Sequence, residues 1–403
     1  MQPQKHPLTN YAVITGGYWA FTLTDGAIRM LVVLFFHQLG YSALAIASLF
    51  LFYEFFGMVT NLVGGWLGAR LGLNNTMHIG MIMQLVALMM LTVPVEYLSV
   101  AYVMVAQALS GIAKDLNKMS AKASVKLFVP SIKEAGQSNP LFKWVAALTG
   151  SKNTLKGIGF FLGGLLLALY GFQGALYVLA GGLFSVLILT WLLLPSDLGT
   201  TKNKAKFSQI FSNSPAINWL SAARFFLFGS RDVWFVVALP VYLTTSLAWS
   251  YEQTGAFFAL WVIGYGIVQA FTPSLIRGHA PDGKTAQWLA ILLTIVPAGI
   301  AWALYSQLDA STVIIVGLTL FAIAFAINSA VHSYLVVEWA DKEKVAMNVG
   351  FYYMANAGGR LTGTVLSGLV FQYYGLIGCL ITSSLLVAAA ALLSSKLPNH
   401  SAL

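Results

Sequence analysis

Five cationic side chains, Arg29, Lys156, Arg224, Arg231 and Arg360, stand inside stretches that are otherwise apolar. A lysine or arginine at mid-bilayer costs about 2.5 to 3.5 kcal/mol on insertion scales, so each needs a partner, water or a ligand. Asp25 lies one helical turn before Arg29, a spacing that puts both on one face and predicts mutual neutralisation. Arg224 and Arg231 are seven residues apart on one face, and Asp232 points about 100° away from Arg231. Lys156 and Arg360 have no acidic residue three or four positions to either side, so neither is expected to find a partner on its own helix. Arginine's planar fork binds carboxylate and phosphate-like groups bidentately. The chemistry expected of these five cations is therefore recognition of a small, multiply charged anion, with Asn153, Asn356 and Tyr353 adding neutral hydrogen bonds. Asp25, Glu54, Asp232 and Glu338 are the candidate charge partners or proton-coupling groups, Glu54 standing alone in the middle of its span.

Other chemistries find little support in the residues. The six histidines, His6, His37, His78, His279, His332 and His400, are scattered without ligand spacing, and no paired carboxylates accompany them, so no metal site is expected. A single cysteine, Cys379, lies in an apolar run and offers neither a disulfide nor a thiolate cluster. There is no Gly-rich phosphate loop of the ATPase type. An enzyme is not expected, nor any cofactor.

The elements that must hold these charges are membrane spans. Of the 403 residues 58% are hydrophobic and only 9% charged, with a mean hydropathy of +0.77. That is more apolar surface than a water-soluble domain can hide. Apolar windows near the roughly 20 residues that cross a bilayer recur throughout. They predict twelve spans, near 11–36, 44–68, 77–95, 97–115, 155–171, 174–194, 218–246, 254–277, 285–306, 312–336, 345–371 and 375–394.

Arg70, the lysines from Lys118 to Lys143, Lys202, Lys204, Lys206, Arg277, Lys284, Lys342 and Lys344 all fall in the connections of one side; Glu96, Glu252 and Asp309 mark the other. The positive-inside rule then puts both termini and every even-numbered connection in the cytoplasm, and accounts for most of the net charge of +9 without a nucleic-acid partner. The polar N-terminus runs into the first span without a small-residue cleavage site, so no cleaved signal peptide is expected. Lys114, Lys118, Lys122 and Lys126 form a one-turn ladder suited to cytoplasmic lipid headgroups, Lys114 and Asp115 being alternatively placed to line a vestibule. Lys152 is one turn from Lys156 with the same sign, which calls for an anion or a lipid headgroup on that face.

Residues 195–215 read as a cytoplasmic linker between a six-helix bundle over 1–194 and a second over 216–403. Shifting by 204 lays KGIGFFLGGLLLALYG (156–171) on RLTGTVLSGLVFQYYG (360–375), matching Lys156 with Arg360 and Gly159 with Gly363; a shift of 207 lays Gly57 on Gly264 and Arg70 on Arg277. An all-α membrane protein of two six-helix pseudo-repeats follows, with a substrate site between the repeats near the midplane.

The segment GGWLGARLGLNN resembles the loop signature of the major facilitator superfamily through Gly65, Leu67, Arg70 and Gly72, with Ala69 where that family carries an aspartate. The run from Tyr18 to Asn74, together with KDLNKMSAK (114–122) and SKNTLKGIGFF (151–161), resembles the organoarsenical efflux permeases of arsenic-resistance operons, the ArsJ family. This resemblance implies secondary export of 1-arseno-3-phosphoglycerate by alternating access, arsenate resistance, a bacterial inner-membrane location, and a functional link to the glyceraldehyde-3-phosphate dehydrogenase that makes the ester. The alternative function is a proton-coupled antiporter or organophosphate exchanger for another anionic metabolite. Membrane lipid and the small anion are the expected partners, and a monomer is the expected state.

Overall fold

The computed structural model describes residues 7–128, 140–195, 214–276, 281–340 and 345–399. Every regular element among them is helical. The first half holds α1 (Pro7–Gln38), α2 (Ala43–Leu49), α3 (Leu51–Leu71), α4 (Leu73–Met90), α5 (Val100–Phe128) and α6 (Pro140–Leu193); the second holds α7 (Pro215–Phe235), α8 (Ala238–Thr245), α9 (Tyr251–Leu275), α10 (Gly283–Tyr305), α11 (Ala310–Glu338) and α12 (Val345–Ser394). Eight stretches are long and apolar enough to cross a bilayer, and two of these run to 47 residues. At 1.5 Å per residue, 47 residues reach about 70 Å, twice the thickness of the hydrocarbon core.

Each long helix turns back at one glycine. Gly171 has φ 67°, ψ −177° and Gly375 has φ 62°, ψ −165°. Only glycine enters that region without strain. The two stand 204 positions apart, the shift that aligns the halves in sequence. With α6 and α12 each divided, and with α4 and α5 added, the described helices make twelve passes.

Several boundaries differ from the sequence expectation. The fourth span extends to Phe128, and the fifth begins at Pro140, a full four turns before residue 155. The third ends at Met90, ahead of Pro94. The seventh is broken between α7 and α8, because Pro240 cannot donate to the Val236 carbonyl and its ring crowds it. The amides of Val237 and Ala238 donate instead to Ser367 Oγ, at 3.2 and 3.1 Å. Of the linker reading over 195–215, residues 196–213 lie outside the described residues, as do Arg277, Lys342 and Lys344, while Pro215 already opens α7.

Close helix contacts fix where the charges meet. In the first half α1 lies against α6: a Cβ on Gly26 would stand 2.5 Å from the Lys156 carbonyl oxygen. In the second half α7 lies against α12 in the same way: a Cβ on Gly363 would stand 2.7 Å from the Gly229 carbonyl oxygen and 2.9 Å from Asp232 Cβ. The halves join along two seams. On one, Gly150, Gly157 and Gly164 of α6 meet Gly266, Ala259 and Gly255 of α9; on the other, Gly368 and Gly350 of α12 meet Leu44 of α2 and Asn61 of α3. Between the seams lies a central cavity. Met30, Val33, Phe160, Phe235, Pro240 and Phe258 form an apolar layer at its end remote from the chain termini.

Candidate functional site

Asp25, Glu54, Lys114, Lys156, Arg231, Asp232 and Arg360 all stand within about one turn of the middle of their spans, so the glycine contacts draw the charges together near mid-depth. Lys156 Nζ donates to Asp25 Oδ2 at 2.9 Å, and Tyr53 Oη donates to Asp25 Oδ1 at 2.5 Å. Arg360 Nε donates to Asp232 Oδ2 at 3.1 Å, while Arg231 Nε donates to Asp232 Oδ1 at 2.7 Å. The halves thus carry matching pairs, each a carboxylate on the first span and a cation on the fifth.

Glu54 ties these pairs together. Its Oε1 accepts from Arg29 Nη1 at 3.2 Å and from Arg360 Nη2 at 2.6 Å, and its Oε2 lies 4.0 Å from Lys114 Nζ. Glu54 and Asp232 are wholly buried, and Asp25 nearly so. A buried carboxylate persists only when paired and hydrogen-bonded, and each of these has at least two donors or cations in reach. Asp115 continues the chain through Lys114 at 3.6 Å and through Lys118, which also donates to Asn61 Oδ1 at 2.5 Å.

Arg224 is held differently. Its Nε donates to Asn356 Oδ1 at 2.8 Å and its Nη1 to the Ser329 carbonyl at 3.2 Å. Its guanidinium carbon sits 3.9 Å from the centre of the Phe228 ring. Among the described residues no carboxylate lies within 4.0 Å of it. Asn153 donates to Gln269 Oε1 at 2.6 Å, joining α6 to α9 beside the same space. Tyr353 presents its ring 4.7 Å from Lys118 Nζ.

The cavity is lined by eight cations, Arg29, Lys114, Lys118, Lys152, Lys156, Arg224, Arg231 and Arg360, and by Asp25, Asp115 and Asp232. Counting Glu54 behind them, eight positive charges face four negative ones, a formal excess of four. Such a site attracts anions and repels cations.

All eight sequence-chosen polar residues, Arg29, Asn153, Lys156, Arg224, Arg231, Tyr353, Asn356 and Arg360, line this one cavity. One expectation about their partners is corrected, and the partners of the others are now identified. Arg29 bonds Glu54 rather than Asp25, because Asp25 is engaged by Lys156 and Tyr53. Lys156 and Arg360, expected to find no partner on their own helices, find carboxylates on neighbouring ones. Glu54, the lone charge in the middle of its span in the sequence, is the shared acceptor of two arginines. Glu338 is exposed at the end of α11, away from the cluster. Lys114 and Lys118 line the cavity rather than facing lipid; the side chains of Lys122 and Lys126 are outside the described residues. Sequence reasoning missed Tyr53, Gln269 and Ser329. Tyr53 adjoins Glu54 and so had a signal; the other two had none beyond being polar residues in apolar spans.

A model of the Major Facilitator Superfamily matches residues 14–331 and again 220–401. This chain belongs to the major facilitator superfamily. As such it is a multi-pass membrane transporter of small solutes and not an enzyme. No curated protein sequence matches this superfamily member. Among solved structures, the human organic anion transporter MFSD10 (TETRAN) shares the fold with a TM-score of 0.72 at 15% identity, over 97% of this chain and 100% of that one. A bacterial homologue of the iron transporter ferroportin, in an outward-facing state, gives 0.69 at 14% identity over 96% and 98%. A bacterial homologue of ferroportin in an outward-facing state with soaked iron gives 0.67 at 16% identity over 96% and 98%. At these identities the likeness speaks for the fold.

Proposed function

We propose that this transporter exports a small organic anion of high charge, with 1-arseno-3-phosphoglycerate as its substrate, by alternating access of the two halves around the central cavity. The observation that carries the reading is the excess of four positive charges in a cavity at mid-depth. An ester with a phosphate at one end and an arsenate at the other bears about three to four negative charges near neutral pH and would nearly cancel it. The resemblance of residues 18–74, 114–122 and 151–161 to organoarsenical permeases supports the arsenate ester over other phosphorylated anions. Arg224 and Arg360 offer guanidinium forks to the anionic ends, while Asn356, Asn153 and Tyr353 supply neutral contacts. The positive connections face the cytoplasm, both termini with them, in a bacterial inner membrane. Outside the cell the arsenate ester hydrolyses spontaneously, which makes export one-way.

The test is arsenate tolerance and cell-associated arsenic in a sensitive bacterium expressing the protein with or without glyceraldehyde-3-phosphate dehydrogenase. Protection is expected only with the dehydrogenase, and Arg224→Ala is expected to abolish it in protein that still reaches the membrane. Absence of protection in every combination would favour exchange of another organophosphate.

A further inference from the structure

The two fifth-span cations and the carboxylates bonded to them all line the cavity, but the cations are the more exposed to it. Lys156 and Arg360 are each 14% accessible at the side chain, against 3% for Asp25 and 1% for Asp232. An entering anion therefore meets the cation first. Each carboxylate also has a second donor on its own half: Tyr53 Oη for Asp25 at 2.5 Å, Arg231 Nε for Asp232 at 2.7 Å. Such a donor keeps a buried carboxylate hydrogen-bonded after its cation turns away, removing much of the penalty that an abandoned buried charge otherwise carries.

We propose that Asp25 and Asp232 are exchangeable stand-ins for the substrate: in the empty carrier they occupy Lys156 and Arg360, and an entering anion takes those cations while Tyr53 and Arg231 retain the carboxylates. The two ion pairs are then a single device repeated in the two halves, and the carboxylates set the affinity by competing with the substrate. This competition lets a strongly cationic site release its anion. The inference rests on the anion-exporter reading, and Tyr53, a residue chosen by no charge argument, becomes an affinity-determining positioning residue.

The test compares binding of 3-phosphoglycerate, a stable two-ended anion, to purified full-length protein by calorimetry, with thermal unfolding as a check of folding. Asp25→Asn keeps the shape and an acceptor but removes the competing charge, and should tighten binding about tenfold, the effect of one charge-assisted hydrogen bond of modest strength. Asp232→Asn should do likewise. Tyr53→Phe should act in the opposite sense, because Asp25 then clings to Lys156, and should weaken binding several-fold. Weaker or unchanged binding in a folded Asp25→Asn or Asp232→Asn variant would overturn the exchange. So would a Tyr53→Phe variant with wild-type affinity, which also decides the matter if the aspartate variants fail to fold. Failure of the wild type to bind 3-phosphoglycerate, phosphate or arsenate would instead sink the anion-exporter reading beneath it.

Discussion

Arg224 differs from its neighbours in what holds it still. A guanidinium fixed by an amide oxygen, a backbone carbonyl and an aromatic face keeps its full charge available to a ligand, because none of those partners is an anion. Lysine in its place would preserve the charge and lose both the fork and the stacking. Arg224→Lys is therefore expected to weaken 3-phosphoglycerate binding by about tenfold or more while leaving the unfolding temperature nearly unchanged, whereas an equal affinity would show that charge alone matters at this position. The residue types that make this site were legible in the sequence, since cations inside apolar spans are costly wherever they occur. Their partners were not. Lys156 and Asp25 are 131 positions apart, and Arg360 and Glu54 are 306 apart, so a search along one helix face sees neither. Asp25 and Arg29 illustrate the same limit from the other side: their spacing suits a pair, yet donors on α3 and α6 claim Asp25 and an acceptor on α3, Glu54, claims Arg29.

At the scale of the helix, small residues decide whether the charged partners can meet. Gly159 faces the α1 backbone and Gly363 faces the α7 backbone with no room for a side chain. Gly159→Val would force α6 from α1, separating Lys156 from Asp25 and costing about 1 to 3 kcal/mol for overpacking; Gly363→Val should do the equivalent damage to Arg360 and Asp232. Gly181 has open space around its would-be Cβ, so Gly181→Val should be tolerated. Thermal unfolding in detergent and transport of labelled 3-phosphoglycerate would separate the two classes of position. The glycines were visible in the sequence as matched letters 204 apart, and the turns at Gly171 and Gly375 share their backbone conformation as that match implies. The break ahead of Pro240 was equally present as a letter. Its place within an unbroken apolar window hid it, because window hydropathy is blind to a missing amide.

For the whole molecule, the charge of the cavity governs the energetics of a transport cycle. With eight cations against four carboxylates, the empty site carries a formal excess of four positive charges, and a substrate with about three to four negative charges leaves the loaded site close to neutral. The loaded step then moves little net charge, and the return of the empty carrier moves most of it. A charge crossing the full field is worth about 2.3 kcal/mol per 100 mV, so an inside-negative membrane pulls the positive, empty site back toward the cytoplasm. Export would then be driven by the membrane potential, without any need for a proton gradient. Efflux of labelled 3-phosphoglycerate from proteoliposomes clamped inside-negative by a potassium gradient and valinomycin should accordingly exceed efflux from depolarised vesicles several-fold, and an imposed pH gradient at zero potential should add nothing. Dependence on the pH gradient with indifference to voltage would instead mean that a carboxylate of the central network carries a proton on each cycle, and would favour the proton-coupled antiporter over the potential-driven exporter.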